Sequence, residues 1–193
     1  MSRNIFYIGD THFGWPNGYA SGSEPIHNDD GSPLRPLWST WEEADEAMIE
    51  RWNSVVGPYD KVYHLGDVAI KRKALHDVLP RLNGKKRLVR GNHDIFNLRK
   101  DYLPYFEEVY GVRVFPDTGV LLSHIPLQRE SVVPRFNVNV HGHTHLNYNP
   151  DPVWFSVCVE MIDFTPIEHS TLMTRIEGKR LIWQDAPREQ GVF

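Results

Sequence analysis

The chain has little cysteine and no long apolar run. Its 193 residues include one cysteine, Cys158, which excludes an internal disulfide framework and suits a reducing compartment. No apolar stretch reaches the roughly 20 residues that a membrane span needs. The N-terminus runs straight into a strand-like segment, without the pattern of a signal peptide. We therefore expect a cytoplasmic protein that makes no membrane contact.

A long basic run is also missing. The 21 basic and 25 acidic residues give a net charge of -4, so extended nucleic-acid binding through many phosphate contacts is not expected. Hydrophobic residues make up 40% of the chain and charged residues 24%, which is an ordinary globular balance. The length suits one domain over residues 1–193.

Histidine, in contrast, is concentrated in one short segment. His141, His143 and His145 alternate within five residues, directly after a strand-like run. Neutral imidazole is a common metal ligand near neutral pH. Gly142 permits a turn that could bring His143 and His145 into one cavity, or give one to each of two metals. A polar loop without metal is the alternative interpretation.

Apolar runs and turn signals predict strands that mostly alternate with helices. The predicted strands are residues 5–8, 61–65, 86–89, 112–115, 120–122, 136–140, 155–159, 171–176 and 179–183, the last two forming a hairpin about Glu177-Gly178. Helices are predicted after a capping box at Ser39-Thr40-Trp41-Glu42, over 72–82, and over most of 95–108. Residues 13–38 form a long loop that could cover a site. The tail after Pro187 is expected to be poorly ordered.

Residues that can bind metals follow five of the predicted strands. They are Asp10 and His12, Asp67, Asn92 and His93, His124, and His143 and His145. Each cluster alone also fits a turn or a helix cap. However, the carboxyl ends of strands are where α/β proteins assemble their sites. Five clusters in register with the strand pattern therefore predict one shared site.

The order of these clusters resembles the metallophosphoesterase, or calcineurin-like phosphoesterase, superfamily. The motifs are Asp10-Thr11-His12, Gly66-Asp67, Gly91-Asn92-His93-Asp94, His124 and Gly142-His143-Thr144-His145, within residues 5–176. All five are present, and the chain is similar in particular to the small bacterial and phage-type members. The resemblance implies an α/β fold of four layers, an αββα sandwich in which helices flank two mixed β-sheets.

The resemblance also implies two divalent metal ions. One would be held by Asp10, His12, Asp67 and His145, and the other by Asp67, Asn92, His124 and His143. Asp67 would bridge them, because one carboxylate can span metals about 3.5–4 Å apart. The mixed nitrogen and oxygen ligands favour manganese, with Fe, Zn, Ni or Mg as alternatives, and the lack of thiolates argues against a structural zinc site.

The family chemistry implies roles for further residues. A hydroxide that bridges the dinuclear metal centre would attack phosphorus, and His93 would protonate the leaving group as general acid. Asp94 could hydrogen-bond His93, orient it and raise its pKa, or it could cap a helix. Arg35 is a candidate phosphate contact, with a solvated arginine as the alternative. His64 and His141 are expected to be supporting residues.

A phosphodiesterase is the favoured function, because a histidine acid assists the alkoxide leaving group of a diester. The first alternative is a phosphomonoesterase or protein phosphatase, whose arginines usually stand next to the motifs. Here Arg90 precedes Gly91, and Asp94-Ile95-Phe96 contains no arginine. A non-catalytic scaffold is the second alternative, although no ligand position is missing. A nucleotide as the phosphoester substrate and a homodimer both remain open.

Overall fold

Two β-sheets organise the protein. The computed structural model describes residues 3–19, 27 and 31–185. The strands are β1 Ile5–Ile8, β2 Lys61–His64, β3 Lys85–Val89, β4 Phe106–Tyr110, β5 Val112–Phe115, β6 Val120–Ser123, β7 Val138–His141, β8 Trp154–Ser156 and β9 Ile167–Glu168. The first sheet has the order β4-β3-β2-β1-β9 and the second has the order β5-β6-β7-β8.

Both sheets are mixed, and their parallel strands position the site. Strands β1 to β4 run parallel, with β9 antiparallel at the edge. Strands β6 to β8 also run parallel, with β5 antiparallel. The carboxyl ends of parallel strands lie at one edge of a sheet. The two sheets meet beyond the ends of β1 and β8, where Gly9 N donates to Val157 O at 2.8 Å.

A shared apolar core holds the sheets face to face. Leu122 of β6 and Val140 of β7 belong to the same buried cluster as Tyr7 of β1. The ring of Phe115 in β5 lies 6.5 Å from that of Tyr7 and 5.2 Å from that of Tyr63 in β2. Burial of such apolar surface stabilises the fold at about 25 cal/mol per Å².

The described residues contain four α-helices. They are α1 Trp41–Val55, α2 Arg72–Val78, α3 Arg129–Val132 and α4 His169–Asp185. The cap of α1 lies one residue later than predicted: Thr40 Oγ1 accepts from Glu43 N at 3.3 Å, and Glu43 Oε2 accepts from Ser39 N at 3.1 Å. Among the described residues, no helix is both long and apolar enough to cross a membrane.

The predicted C-terminal hairpin is wrong, because residues 171–176 and 179–183 lie in the single helix α4. Leu172 and Ile176 are spaced by one helical turn, and both are buried. Gly178 lies inside the helix, where glycine costs only about 1 kcal/mol relative to alanine. Packing of the Leu172 and Ile176 face therefore outweighs the local turn signal.

Two other predicted elements differ in part. Residues 95–108 were predicted to be mostly helical, but only the short π-helix Leu98–Tyr102 is, and β4 follows it. Glu107 and Glu108 of β4 pair with Arg87 of β3, which favours the strand. The predicted strand 155–159 ends early, at Ser156. Residues 20–26 and 28–30 of the 13–38 loop, and the tail after Pro187, lie outside the described residues.

Asp45 is a buried carboxylate of α1. Its Oδ2 accepts from Gly14 N at 2.8 Å, and its Oδ1 has no partner in the described part of the chain. Burial raises the pKa of Asp45 to about 7. The pKa of Asp45 in the unfolded chain is near 4, so the folded protein favours the protonated carboxyl. The resulting stabilisation is complete below pH 4 and is lost as the pH rises through 7.

We expect Asp45→Asn to stabilise the protein at pH 8 but not at pH 4, because the amide removes the buried charge. The expected gain at pH 8 is on the order of 2 kcal/mol. Thermal unfolding at both pH values measures it, with the exposed Asp117→Asn as control. An equal effect of Asp45→Asn at both pH values would contradict the role of its ionisation.

Candidate metal centre

Six predicted ligands converge at the strand ends as two adjacent groups. The first ligand group is Asp10, His12 and His145, and the second ligand group is Asp67, His124 and His143. Within each group the ligand atoms lie within 4.8 Å of one another. The structure therefore brings His143 and His145 to one site but places them in different groups.

Asp67 belongs to the second ligand group but also faces the first. Its Oδ2 is 3.7 Å from His12 Nε2 in the first group and 3.4 Å from His124 Nε2 in the second. Its Oδ1 accepts from His93 N at 2.8 Å. One carboxylate oxygen is thus fixed by the backbone, and the other faces both groups.

Backbone and side-chain contacts orient His124. Its Nδ1 lies 2.7 Å from Leu65 O, and because a carbonyl only accepts, Nδ1 carries the proton. Nε2 then faces Asn92 Oδ1 at 2.8 Å and His143 Nδ1 at 3.2 Å. Asn92, the seventh predicted ligand, therefore adjoins the second ligand group. Such an outer hydrogen bond fixes the tautomer that binds a metal.

His12 supplies the observation that tests whether the residues suit a metal. Both of its ring nitrogens are buried and have no hydrogen-bond partner within the described residues. Burial lowers the pKa of His12 well below its ordinary range, so the ring is neutral, which is the form that binds metals. Unpaired buried polar atoms are costly. A divalent cation beside Asp10 and Asp67 would satisfy Nε2, so the residues fit one.

The electrostatics of the second ligand group favour positive charge. Burial raises the pKa of Asp67, but the hydrogen bond and charge of His124 outweigh it and lower the pKa to about 2. Burial lowers the pKa of His124, but Asp67 and Asp10 outweigh it and raise the pKa to about 9. A proton on His124 and a metal cation would therefore compete for the same negative surroundings.

The backbone at the site is held in an unusual conformation. Among the described non-glycine residues, seven have a positive φ, and five of these are predicted ligands. The five are Asp10, His12, Asp67, His143 and His145, with φ between 47° and 70°. Each such residue costs on the order of 1–3 kcal/mol, and this strain is commonly found at functional sites.

Two motif glycines are required because carboxylate oxygens of the site lie very close to their backbone. A Cβ at Gly142 would lie 2.3 Å from Asp10 Oδ2, and a Cβ at Gly91 would lie 2.3 Å from Asp67 Oδ1. Any larger residue would displace a carboxylate of the site.

Comparison with known families decides which family the protein represents. The model of the calcineurin-like phosphoesterase family matches residues 3–189. The chain belongs to the calcineurin-like phosphoesterase family. This membership confirms the resemblance carried by the five motifs, and it makes the protein a metal-dependent phosphoesterase.

Relatives of the phosphoesterase come from archaea, phages and bacteria. It is 28% identical over 190 residues to an uncharacterised protein of Methanocaldococcus jannaschii, covering 93% of this chain and 95% of that protein. It is 30% identical over 143 residues to the Gene 66 protein of Mycobacterium phage L5, covering 58% and 69%. A solved protein of unknown function from Aquifex aeolicus has a TM-score of 0.66 at 23% identity, covering 90% and 100%. This last likeness supports the fold.

His93 and Asp94 of the phosphoesterase occupy different surroundings. The His93 ring is exposed and its centroid lies 5.4 Å from that of His12. Asp94 is buried, and its carboxylate accepts from the backbone N–H groups of Asp67, Val68 and Gly91 at 2.8–3.0 Å. Within the described residues it accepts no bond from His93. The expected Asp94–His93 contact is therefore replaced by contacts that join the loop after β2 to the loop after β3.

Arg35 lies behind the site and is not solvated. Its side chain is fully buried, Nε donates to Glu160 Oε1 at 2.9 Å, and Nη2 donates to Asp10 O at 2.6 Å. Nη1 donates to Thr11 O at 2.9 Å. Both sequence interpretations of Arg35 are therefore corrected: the guanidinium holds the backbone of the Asp10-Thr11-His12 motif.

Glu160 was missed by the sequence analysis. Its side chain is only 2% exposed, and Oε1 accepts from His145 Nδ1 at 3.1 Å as well as from Arg35. Because the carboxylate fixes the proton on Nδ1, Nε2 of His145 is the nitrogen that could bind a metal. No local signal marks Glu160, since its partner Arg35 is 125 residues away in sequence.

Glu160→Gln is expected to weaken one metal site selectively, by roughly 10–100-fold in affinity, because His145 loses its carboxylate partner. Calorimetric titration of the metal-free protein with Mn²⁺ measures both affinities. Exposed Glu130→Gln is the control and should change neither. Equal loss at both sites would show that Glu160 serves the fold as a whole.

Proposed function

We propose that the protein is a phosphodiesterase that uses two divalent metal ions, manganese first among them. The position of Asp67 Oδ2 carries the proposal, since it faces His12 at 3.7 Å and His124 at 3.4 Å. The first ligand group would hold one ion and the second ligand group, with Asn92, the other. Asp67 would be the shared ligand.

The other residues of the site would supply a proton and position the ligands. When bound, the metal pair supplies Lewis-acid charge and an activated water. His93 lies exposed at the edge of the site, where a ring nitrogen would donate a proton to the leaving-group oxygen. Asp94 would keep the His93 and Asp67 loops in register through its three backbone contacts. Arg35 and Glu160 would position Asp10 and His145 from behind.

Charge favours a diester over a monoester. A phosphomonoester carries a second negative charge, which phosphatases commonly neutralise with arginine. Here Arg35 is buried in a pair with Glu160, and Arg90 Nε donates to Asp94 O at 2.7 Å. A diester, with one negative charge, has less need of an arginine.

The test compares two chromogenic substrates after removal of metal and addition of Mn²⁺. Hydrolysis of bis(p-nitrophenyl) phosphate should exceed that of p-nitrophenyl phosphate by 10-fold or more in kcat/KM. Faster hydrolysis of the monoester would overturn the diester preference. No turnover with any divalent metal would overturn the enzymatic function.

A further inference from the structure

A cavity of about 560 Å³ lies beside the segment of the chain that carries His143 and His145. It contacts Thr144, which stands between the predicted ligands His143 and His145. Its walls come from residues 126–128, which follow His124, and residues 147–150, which follow His145.

The walls of the cavity are aromatic and amide-bearing. Tyr148 and Trp154 supply flat faces, and Gln128, Asn147 and Asn149 supply donors and acceptors. The buried His141 also lines the cavity, and the described lining residues include no aspartate, glutamate, lysine or arginine. The cavity thus suits a neutral, planar group that both donates and accepts hydrogen bonds.

Several contacts fix these walls in place. Trp154 Nε1 donates to Leu127 O at 2.8 Å, which ties one wall to the other. Lys179 Nζ donates to Trp154 O at 2.6 Å and lies 4.9 Å from the ring centroid of Tyr148. The aromatic faces are therefore preformed, which lowers the entropy lost on binding.

We propose that this cavity binds the nucleobase of a nucleotide ester while its phosphate lies at the ligand groups; the proposal rests on the proposed phosphodiesterase function. Stacking of a base on an aromatic side chain strengthens binding by about 5–150-fold. An alkyl chain would leave the amides unpaired. A second phosphate would find only Lys179 beside these walls, and its Nζ already donates to Trp154 O and lies over the Tyr148 ring.

The test uses two diesters with the same leaving group, thymidine 5′-(p-nitrophenyl) phosphate and methyl p-nitrophenyl phosphate. Tyr148→Ala and Asn147→Ala should each lower kcat/KM for the thymidine ester, by 10-fold or more for Tyr148→Ala, and change the methyl ester less than two-fold. Tyr59→Ala is the control, because Tyr59 and Tyr148 are 64% and 63% exposed. It should change neither substrate.

Saturation-transfer NMR with thymidine 5′-monophosphate gives a readout apart from turnover. The base protons should receive saturation from the wild type and lose it with Tyr148→Ala. Equal loss of both diesters in Tyr148→Ala, or base protons without saturation, would overturn the nucleobase site while leaving the phosphodiesterase intact. Absence of turnover on both diesters in the wild type would instead overturn the phosphodiesterase function.

Discussion

Asp67→Asn is expected to release both metal ions and to lower kcat/KM for a diester on the order of 10⁴-fold, or about 5.5 kcal/mol. The reason is that Oδ2 faces both ligand groups, at 3.7 Å from His12 and 3.4 Å from His124. Asparagine keeps an oxygen for the bond from His93 N but removes the charge. The change therefore tests Asp67 as a shared ligand while keeping the hydrogen bond that orders the His93 loop.

Metal content per chain, measured by elemental analysis after gel filtration, decides the outcome for Asp67. Asp117→Asn removes an exposed carboxylate and is the control. Retention of a full pair of ions by Asp67→Asn would contradict a bridging role. Loss of one ion alone would assign Asp67 to a single site.

His93→Ala is expected to lower kcat by roughly 10²–10⁴-fold on diesters with alkoxide leaving groups. Esters of p-nitrophenol should be affected far less, because p-nitrophenolate leaves without a proton. Metal content should be unchanged, since His93 belongs to neither ligand group and its bond to Asp67 comes from the backbone.

The control for His93 is Ile95→Ala, an exposed side chain in the same loop. It should change neither substrate. Loss of both metals in His93→Ala would make this residue structural or a ligand. Equal losses on both kinds of ester would exclude its role as general acid.

The convergence of the candidate ligands could be predicted from the sequence better than the elements around them, for a physical reason. Asp10, Asp67 and His124 each closely follow a strand, so the strand alone places them at the edge of a sheet. Residues 171–183 carry competing local signals, and only packing of Leu172 and Ile176 into the core decides for the helix. Long-range packing of this kind is not visible in a short window of sequence.

Supporting residues were the hardest to predict. Sequence proximity suggested that Asp94 contacts His93, but the buried carboxylate instead binds three backbone N–H groups. Arg35 and Glu160 meet across 125 positions of sequence. Neither contact follows from a motif, because each depends on how distant loops are packed.

Stepwise titration with Mn²⁺ tests most directly whether this phosphoesterase needs two metal ions. Metal-free protein is titrated while metal binding and hydrolysis of bis(p-nitrophenyl) phosphate are followed together. We expect two binding events and activity that reaches its maximum only at two equivalents. Full activity at one equivalent, without a second binding event, would contradict a requirement for two metal ions.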